Sequence, residues 1–192
     1  MKMRYFGALI ACSLLGLAGC ASGPEVHADL DPTVDFTQYK TFSYASPLGT
    51  DRNGYQTIVS QHLKAATQRE LETRGLRLVD VAPQLLVNFN GRVSEKLRVD
   101  NFAVPTGMPY YGYRYGFYSG WPQYMNEQRV SSYTEGTLNI DLVDATRKQL
   151  VWEGTVVGAV SQRTLTDVRP AIDSAVAAAF SKFPVKQLVF SK

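Results

Sequence analysis

The chain has few of the residues on which most hydrolytic and metal sites depend. It contains two histidines, His27 and His62, and two cysteines, Cys12 and Cys20, among 192 residues. Neither histidine has a second histidine or a cysteine at the spacing of a metal motif, and His62 lies on the apolar stripe of a predicted helix, where packing is its expected role. We therefore expect no metal site and no cofactor other than a covalent lipid.

Glycine motifs and excess charge are lacking as well. No Walker or Rossmann pattern occurs, and the nearest approach to a Gly-x-Ser-x-Gly elbow, at 116–120, has the wrong spacing. The 20 Lys and Arg nearly balance the 17 Asp and Glu. A surface without excess positive charge argues against nucleic acid as a partner and against a polybasic grip on a membrane.

What the chain does have begins with an apolar leader. Lys2 and Arg4 make a basic start, and residues 6–17 are almost wholly apolar, as in a secretory leader, but too few to span a bilayer. The leader closes on Leu17-Ala18-Gly19-Cys20, which resembles the lipobox of bacterial lipoproteins. The resemblance implies that signal peptidase II recognises Leu17, Ala18 and Gly19 and removes 1–19, and that Cys20 carries a diacylglyceryl group.

Lipidation at Cys20 makes the bilayer the first expected partner. Cleavage removes Cys12, so the mature chain has no disulfide to form, and the thioether caps its only thiol. Residues 20–25 are a short tether, and at about 3.5 Å per residue they reach less than about 20 Å.

Ala21 is not the aspartate that retains lipoproteins at the inner membrane in many Gram-negative bacteria, so we expect the periplasmic face of the outer membrane.

Periodicity after the tether predicts a single domain over 26–190. Alternation indicates strands at 26–30, 42–44, 76–79 and 84–93, and a hairpin that runs along 138–142, turns at 145–148 and returns through Leu150 and Trp152. A second helix is predicted from Thr166 or Asp167 to Phe183, with Pro170 in its first turn.

The first helix is predicted from Tyr55 to Arg74, with Gly75 at its C-terminal cap. Its apolar stripe consists of Tyr55, Ile58, Val59, His62, Leu63, Ala66 and Leu71. The order β-β-α-β-β-β-β-α predicts an α+β fold, a two-layer sandwich with a mainly antiparallel sheet and two helices packed on one face.

A glycine- and tyrosine-rich segment at 105–126 interrupts this pattern. Its glycines and prolines predict a long loop rather than a helix or a regular strand. Aromatic side chains suit stacking on sugars, packing on a protein or resting at a lipid interface, and a flexible segment without a ligand is the alternative. Arg114 is the only basic residue among them, which argues against nucleic-acid stacking. The candidate contact residues are Tyr110, Tyr111, Tyr113, Tyr115, Phe117, Tyr118, Trp121 and Tyr124.

Acidic residues around the predicted hairpin leave an enzymatic alternative open. Glu135, Asp141, Asp144 and Glu153 include candidate pairs for acid-base work on a glycan, although solvated hairpin acids are the commoner explanation. The alternative pairs Glu135 with Glu153 or Asp141. Carboxyls on opposite faces, or more than about 10 Å apart, cannot flank one glycosidic bond.

Five segments carry a resemblance to a known family: Asp35-Phe36 through Phe42, Pro83 to Val87, Tyr133 to Asp144, Leu150 to Gly154, and Phe183-Pro184. They resemble the bacterial lipoproteins called domain of unknown function 4136 (DUF4136). Gln84 stands where many relatives have an acid, and the 105–126 insertion is longer than the shared pattern needs. The resemblance implies an α+β envelope lipoprotein and transfers no catalytic residues.

These observations together predict a membrane-anchored lipoprotein of the cell envelope. We expect it to be a non-catalytic module that binds or scaffolds an envelope protein or a glycan. The alternative is a glycan-acting enzyme that uses the hairpin carboxylates.

Overall fold

Alternating apolar residues build a six-stranded sheet in the computed structural model. The structure describes residues 23–105, 110–114, 117–121 and 124–188. From 105 to 124 only the backbone of the described residues is considered. The strands are β1 (Glu25–Leu30), β2 (Thr41–Tyr44), β3 (Arg77–Leu78), β4 (Leu85–Pro105), β5 (Tyr110–Arg114), β6 (Phe117–Trp121), β7 (Tyr124–Asp144) and β8 (Gln149–Ala159). The helices are α1 (Ile58–Glu72), α2 (Gln162–Thr166) and α3 (Val168–Phe180).

The predicted two-layer α+β sandwich is confirmed. The sheet order is β1-β8-β7-β4-β2-β3, and all pairs from β1 to β4 are antiparallel. Only β2 pairs in parallel, with β3 on one side and β4 on the other. The crossover through α1 explains this, because a helix between two strands lets the second run in the same direction as the first.

One face of the sheet forms the core with α1 and α3. Leu85, Val87 and Phe89 of β4 are fully buried, as are Ile140 and Leu142 of β7. The indole of Trp152 packs against Phe180 at the end of α3 and against Phe183 after it, with ring centroids 5.2 and 5.3 Å apart. Burial of such side chains, at about 1.5–3 kcal/mol each, is the main stabilising contribution of this face.

The predicted apolar stripe of α1 is wrong in its first half. Tyr55, Ile58 and Val59 are exposed, and the buried face instead begins at Ser60 and continues through Leu63, Ala66, Thr67 and Leu71. Ser60 tolerates burial because its hydroxyl bonds Thr50 Oγ1 at 2.7 Å and Thr57 Oγ1 at 2.9 Å. A satisfied hydroxyl can occupy a core position that hydropathy assigns to an apolar residue.

The C-terminal helix is shorter than predicted, and another helix precedes it. Ser161 caps α2 by accepting the Thr164 amide at 3.2 Å, whereas Asp167 caps α3 without a side-chain hydrogen bond. Phe183 lies beyond the helix end yet remains buried in the core. No helix among the described residues has both the length and the apolar content to cross a bilayer.

The strands β4 and β7 are far longer than the alternation predicted. Each has 21 residues, paired without a break from Leu85 opposite Asp144 to Pro105 opposite Tyr124. Residues 95–105 and 124–134 pair with each other and have no third strand beside them, so we call this two-stranded part the ribbon. At about 3.4 Å per residue it extends roughly 35 Å beyond the sheet.

The prediction of an irregular loop is wrong for most of 110–121. There β5 and β6 pair antiparallel, with Tyr110 opposite Trp121 and Arg114 opposite Phe117. We call this pair of strands the hairpin. Glycine weakens a strand without forbidding it, and the register places Gly120 opposite Tyr111 and Gly112 opposite Ser119.

Candidate functional site

The two sides of the ribbon differ in charge: one is nearly uncharged and the other carries several charged residues. Because successive residues of a strand alternate, the side that continues the core face holds Leu97, Val99 and Val130, of which Leu97 is 73% exposed. Between 95 and 103 of β4 and 126 and 134 of β7, Glu95 is the only charged residue on this side. These apolar side chains have no covering layer in the described part of the chain.

The other side of the ribbon carries charges of both signs. Its residues are Lys96, Arg98, Asp100, Phe102, Val104, Met125, Glu127, Arg129, Ser131 and Tyr133. The Arg98 guanidinium lies 5.1 Å from the centre of the Tyr133 ring, and that of Arg129 lies 5.7 Å from the centre of Phe102. Such cation-π contacts hold the two arginine side chains against the ribbon.

Seven of the eight predicted contact residues belong to described strands that follow the far end of the ribbon along the chain. Tyr110, Tyr111 and Tyr113 belong to β5, and Phe117, Tyr118 and Trp121 belong to β6. The backbone register places Tyr113 opposite Tyr118. Tyr124 opens β7, whereas Tyr115 lies outside the described residues. Cys20 and the tripeptide before it, Leu17 to Gly19, also lie outside them.

Of the four acidic residues in the enzymatic alternative, the structure brings two together and separates the other two from them. Asp141 and Glu153 are direct cross-strand partners on the outer face of the sheet. Glu135 is six residues from Asp141 along β7, which at about 3.4 Å per residue is roughly 20 Å. Asp144 is the last residue of that strand and lies on the core face, opposite Leu85. Only the Asp141 and Glu153 pair is therefore close enough to act on one glycosidic bond.

Amide side chains hold this carboxylate pair. Asn90 Nδ2 donates to Asp141 Oδ2 at 2.9 Å, and Asn139 Nδ2 donates to Glu153 Oε1. Partial burial raises the pKa of Asp141, the negative charge of Glu153 raises it further, and hydrogen bonds from Asn88 and Asn90 oppose both effects. The next strand places Asp29 opposite Glu153, so three acids form a row across the outer face.

A polar cluster that the sequence did not predict surrounds Asp144. Its carboxylate accepts the Tyr39 hydroxyl at 2.8 Å, the Arg147 Nε at 3.1 Å and the backbone amides of Thr146 and Arg147 at 2.9 and 2.8 Å. These bonds, the Arg147 amide first, lower the pKa of Asp144 to about 2. Tyr39 and Asp144 both lie in segments that carry the family resemblance, which is the only sequence signal that could have linked them.

A cavity of about 360 Å³ lies beside this cluster. It is lined by Thr33, Val34, Asp35, Gln38, Tyr39, Gln84, Asp144 and Arg147. Its polar groups are used internally: Gln84 Oε1 accepts the backbone amides of Lys40 and Thr41, and Asp35 accepts that of Thr37. These contacts join strand ends and turns, so the cluster has a structural role.

The two histidines have separate surroundings. His27 hydrogen-bonds the neighbouring Glu25 at 2.8 Å, and His62 is half-buried on α1. Within the described ranges, no three His, Cys, Asp or Glu side chains are grouped so that they could hold a metal ion.

A family model described as domain of unknown function (DUF4136) matches residues 26–185 of the chain. No curated protein matches it. Among solved structures, a PDZ domain protein from Parabacteroides distasonis superposes with a TM-score of 0.50 at 16% identity, covering 85% of this chain and 36% of that one. The chain thus spans about a third of that protein, and at this identity the likeness concerns the fold alone.

Two PelC dodecamer structures from Paraburkholderia phytofirmans are more distant. They superpose with TM-scores of 0.47 and 0.46 at 11% and 12% identity, each over 86% of this chain and 100% of the other.

Proposed function

Because the chain belongs to the DUF4136 family, whose description assigns no activity, we propose from its own residues that it is a cell-envelope lipoprotein with a binding or scaffolding role. Cys20 anchors it to a membrane, which we place as the outer membrane at its periplasmic face. The ribbon holds the hairpin away from the domain, and the hairpin contacts an envelope protein or glycan.

The exposed ribbon is the observation that carries this proposal. A two-stranded ribbon is marginal in water when it has no covering layer, yet this one displays Leu97, Val99 and Val130 to solvent. Such residues contribute little to the fold where they lie, and apolar patches of this kind mark contact surfaces. The hairpin adds aromatic residues, which predominate among the anchors of protein interfaces.

Crosslinking in intact cells, followed by identification of the crosslinked partners, tests the proposal. The matched variants replace Tyr110, Tyr113, Tyr118 and Trp121 with serine, or delete 106–123 and close the ribbon with a short turn. The control is Val81→Ser, which alters a side chain that is 83% exposed at the opposite end of the domain. We expect the control to retain a partner that both hairpin variants lose. A partner retained by all three would refute the role of the hairpin.

A glycan-acting enzyme is the second candidate, and one observation favours it. Asp141 and Glu153 stand opposite each other, and partial burial beside Glu153 raises the pKa of Asp141, as a general acid requires. Incubation of purified cell-wall glycan with the wild type, Asp141→Asn and Glu153→Gln tests this role. Glycan cleavage that only the wild type performs would support the enzyme, and no cleavage by the wild type would leave the binding role.

A further inference from the structure

The exposed apolar side chains of the described residues are concentrated at one end of the domain. The ribbon end carries Tyr55, Ile58, Val59, Val93, Leu97, Val99, Phe102, Val104, Met125, Val130 and Leu165, whereas the remainder of the surface carries Leu30, Leu78, Val81, Leu150 and Leu188. Packing of the core does not explain this asymmetry, because the core lies between the sheet and the helices and these side chains are exposed outside it.

The first turn of α1 and the short helix α2 place part of this patch beside the base of the ribbon. Thr50 lies against Gly91 of β4 and bonds Ser60 in the first turn of α1, so the exposed Ile58 and Val59 sit at the level where the ribbon leaves the sheet. On the other side, the Val160 amide donates to Thr134 O at 2.8 Å, and α2 with its exposed Leu165 follows directly.

Residues 23–25, the first that the structure describes, also lie at this end of the domain. Glu25 is opposite Val157, Val157 is opposite Thr137 and Thr137 is opposite Arg92, so the first residue of β1 is level with the last residues before the ribbon. From there β1 runs away from the ribbon to Leu30. Cys20 precedes Gly23 by three residues, and at about 3.5 Å per residue its sulfur lies within roughly 15 Å of Gly23.

We infer that the anchoring bilayer itself covers this apolar end, with the ribbon lying along the lipid surface and its Leu97, Val99 and Val130 side turned to the lipid. The inference rests on the proposed lipid anchor at Cys20. A tether of this length holds the ribbon base near the headgroups, and the ribbon extends on the same side of the domain as the tether. The hairpin is then presented at the membrane surface.

Charge distinguishes this arrangement from insertion and from binding to anionic lipid. Upright insertion would bring Lys96, Arg98, Asp100 and Arg129 into hydrocarbon, where charged residues are strongly destabilising. A ribbon that lies flat keeps them in water on the opposite side, together with Phe102, Val104 and Met125. Of the charged ribbon residues, only Glu95, at the base, is then on the lipid side. Because acids and bases balance along it, the contact needs only a neutral bilayer and is insensitive to salt.

Site-specific fluorescence on the acylated full-length protein tests the inference. The mature chain has no cysteine other than Cys20, so an introduced cysteine is its only free thiol. Leu97→Cys and Val130→Cys carry a polarity-sensitive dye on the proposed lipid side. Arg98→Cys, its neighbour on the charged side, and Val81→Cys, at the far end, are the controls. Each protein is reconstituted in phosphatidylcholine vesicles that contain a lipid-borne quencher, after mass spectrometry of the N-terminal peptide.

We expect dyes at 97 and 130 to be quenched several-fold more strongly than dyes at 98 and 81, at low and high salt alike. In an acylated protein, equal quenching at 97 and 81 would overturn this inference and leave the proposed function intact. A dye change at 97 that grows with protein density but not with the lipid quencher would identify a second copy as the covering surface, and would also overturn it. An N-terminal peptide without acyl mass would overturn the anchor and the inference together.

Discussion

Two aspartates three residues apart on β7 have opposite ionisation behaviour. Asp144 accepts four hydrogen bonds, which favour its charged form and lower its pKa from 3.8 to about 2. Asp141 is half-buried beside Glu153, so its charged form is disfavoured and its pKa is raised. The Asp144 carboxylate joins the turn after β7 to Tyr39. The Asp141 carboxylate instead faces a second carboxylate, that of Glu153.

Substitution of each aspartate by asparagine should therefore change stability in opposite directions at neutral pH. Asp144→Asn should lower the free energy of unfolding by about 1–2 kcal/mol, because the charged acceptor is lost. The native pKa of Asp144 is depressed, so its contribution is present above pH 3.8 and is lost as the pH falls toward about 2. The difference from wild type should shrink over that window.

Asp141→Asn should raise the free energy of unfolding at neutral pH by about 0.2–1 kcal/mol, because it removes a like-charge cross-strand pair. The native pKa of Asp141 is raised, so wild type regains this stability as the pH falls through that value and the advantage of the variant disappears. Urea titrations of both variants and the wild type at a series of pH values measure these differences. A loss of stability in Asp141→Asn at neutral pH would contradict this prediction.

The Trp152 indole explains why glycine occupies position 154 in the segment that resembles the family. Both residues lie on the core face of β8, and a Cβ on Gly154 would overlap the Trp152 ring. Gly154→Ala should force the indole to move and lower stability by about 1–3 kcal/mol.

Gly158→Ala is the matched control in the same strand, because its Cβ would meet Pro24 at an ordinary 3.4 Å. Thermal unfolding followed by near-ultraviolet circular dichroism reports both the stability and the Trp152 environment. Equal midpoints for the two variants would show that the indole has room to adjust.

At the scale of elements, β4 is one strand with two environments. Leu85, Val87 and Phe89 are fully buried, with β7 beside them and the helices above, whereas Leu97 and Val99 belong to the ribbon and are mostly exposed. Local stability follows the number of buried contacts, so it should change along the strand.

Hydrogen exchange should show this change as a gradient. In a chain that begins at Ala21, and so lacks an acyl group, amides from 85 to 91 should exchange far more slowly than those from 96 to 104. Mass spectrometry of overlapping peptides resolves the two halves of β4, and the opposite strand β7 serves as an internal comparison. Uniformly slow exchange along β4 would mean that another surface covers the ribbon in solution.

The same element scale shows the limit of periodicity in α1. Its helical spacing was predicted correctly, and the structure begins the helix at Ile58 and ends it at Glu72. The direction of its buried face was not, because Ser60 and Thr67 are fully buried while Ile58 and Val59 are exposed. Hydropathy alone cannot show that the Ser60 hydroxyl finds its hydrogen bonds inside the core, or that Thr67 is buried with a hydroxyl that has no hydrogen-bond partner among the described residues.

At the scale of the whole molecule, the proposal depends on the acyl anchor. Replacing 1–20 with a cleavable secretory leader that has no cysteine should move most of the protein from the membrane fraction to the soluble periplasmic fraction. Acyl chains dominate the anchoring free energy, at about 0.8 kcal/mol per buried methylene, so the ribbon alone should retain little of it.

Cell fractionation with immunodetection measures this shift, and Val81→Ser with its native leader is the control. A leader variant that still sediments fully with membranes would contradict the anchor.

The sequence by itself determined most of the elements of the sheet and helices, the α+β class and the family, because strand alternation, helical spacing and short motifs such as Leu150 to Gly154 are local properties of the chain. It also supplied Cys20 as the candidate anchor and the aromatic residues as the candidate contact. The hairpin strands at 110–114 and 117–121 escaped it, because glycine-rich strands depend on a cross-strand partner that local patterns do not contain.

Only the tertiary structure decided which residues meet. It placed Asp141 opposite Glu153, separated Glu135 from both, and joined Tyr39 to Asp144 across 105 positions of sequence. It also brought the start of β1 and the base of the ribbon to one end of the sheet. The physical reason is that strand register and chain direction are set by contacts between distant residues, each made only when the whole sheet forms.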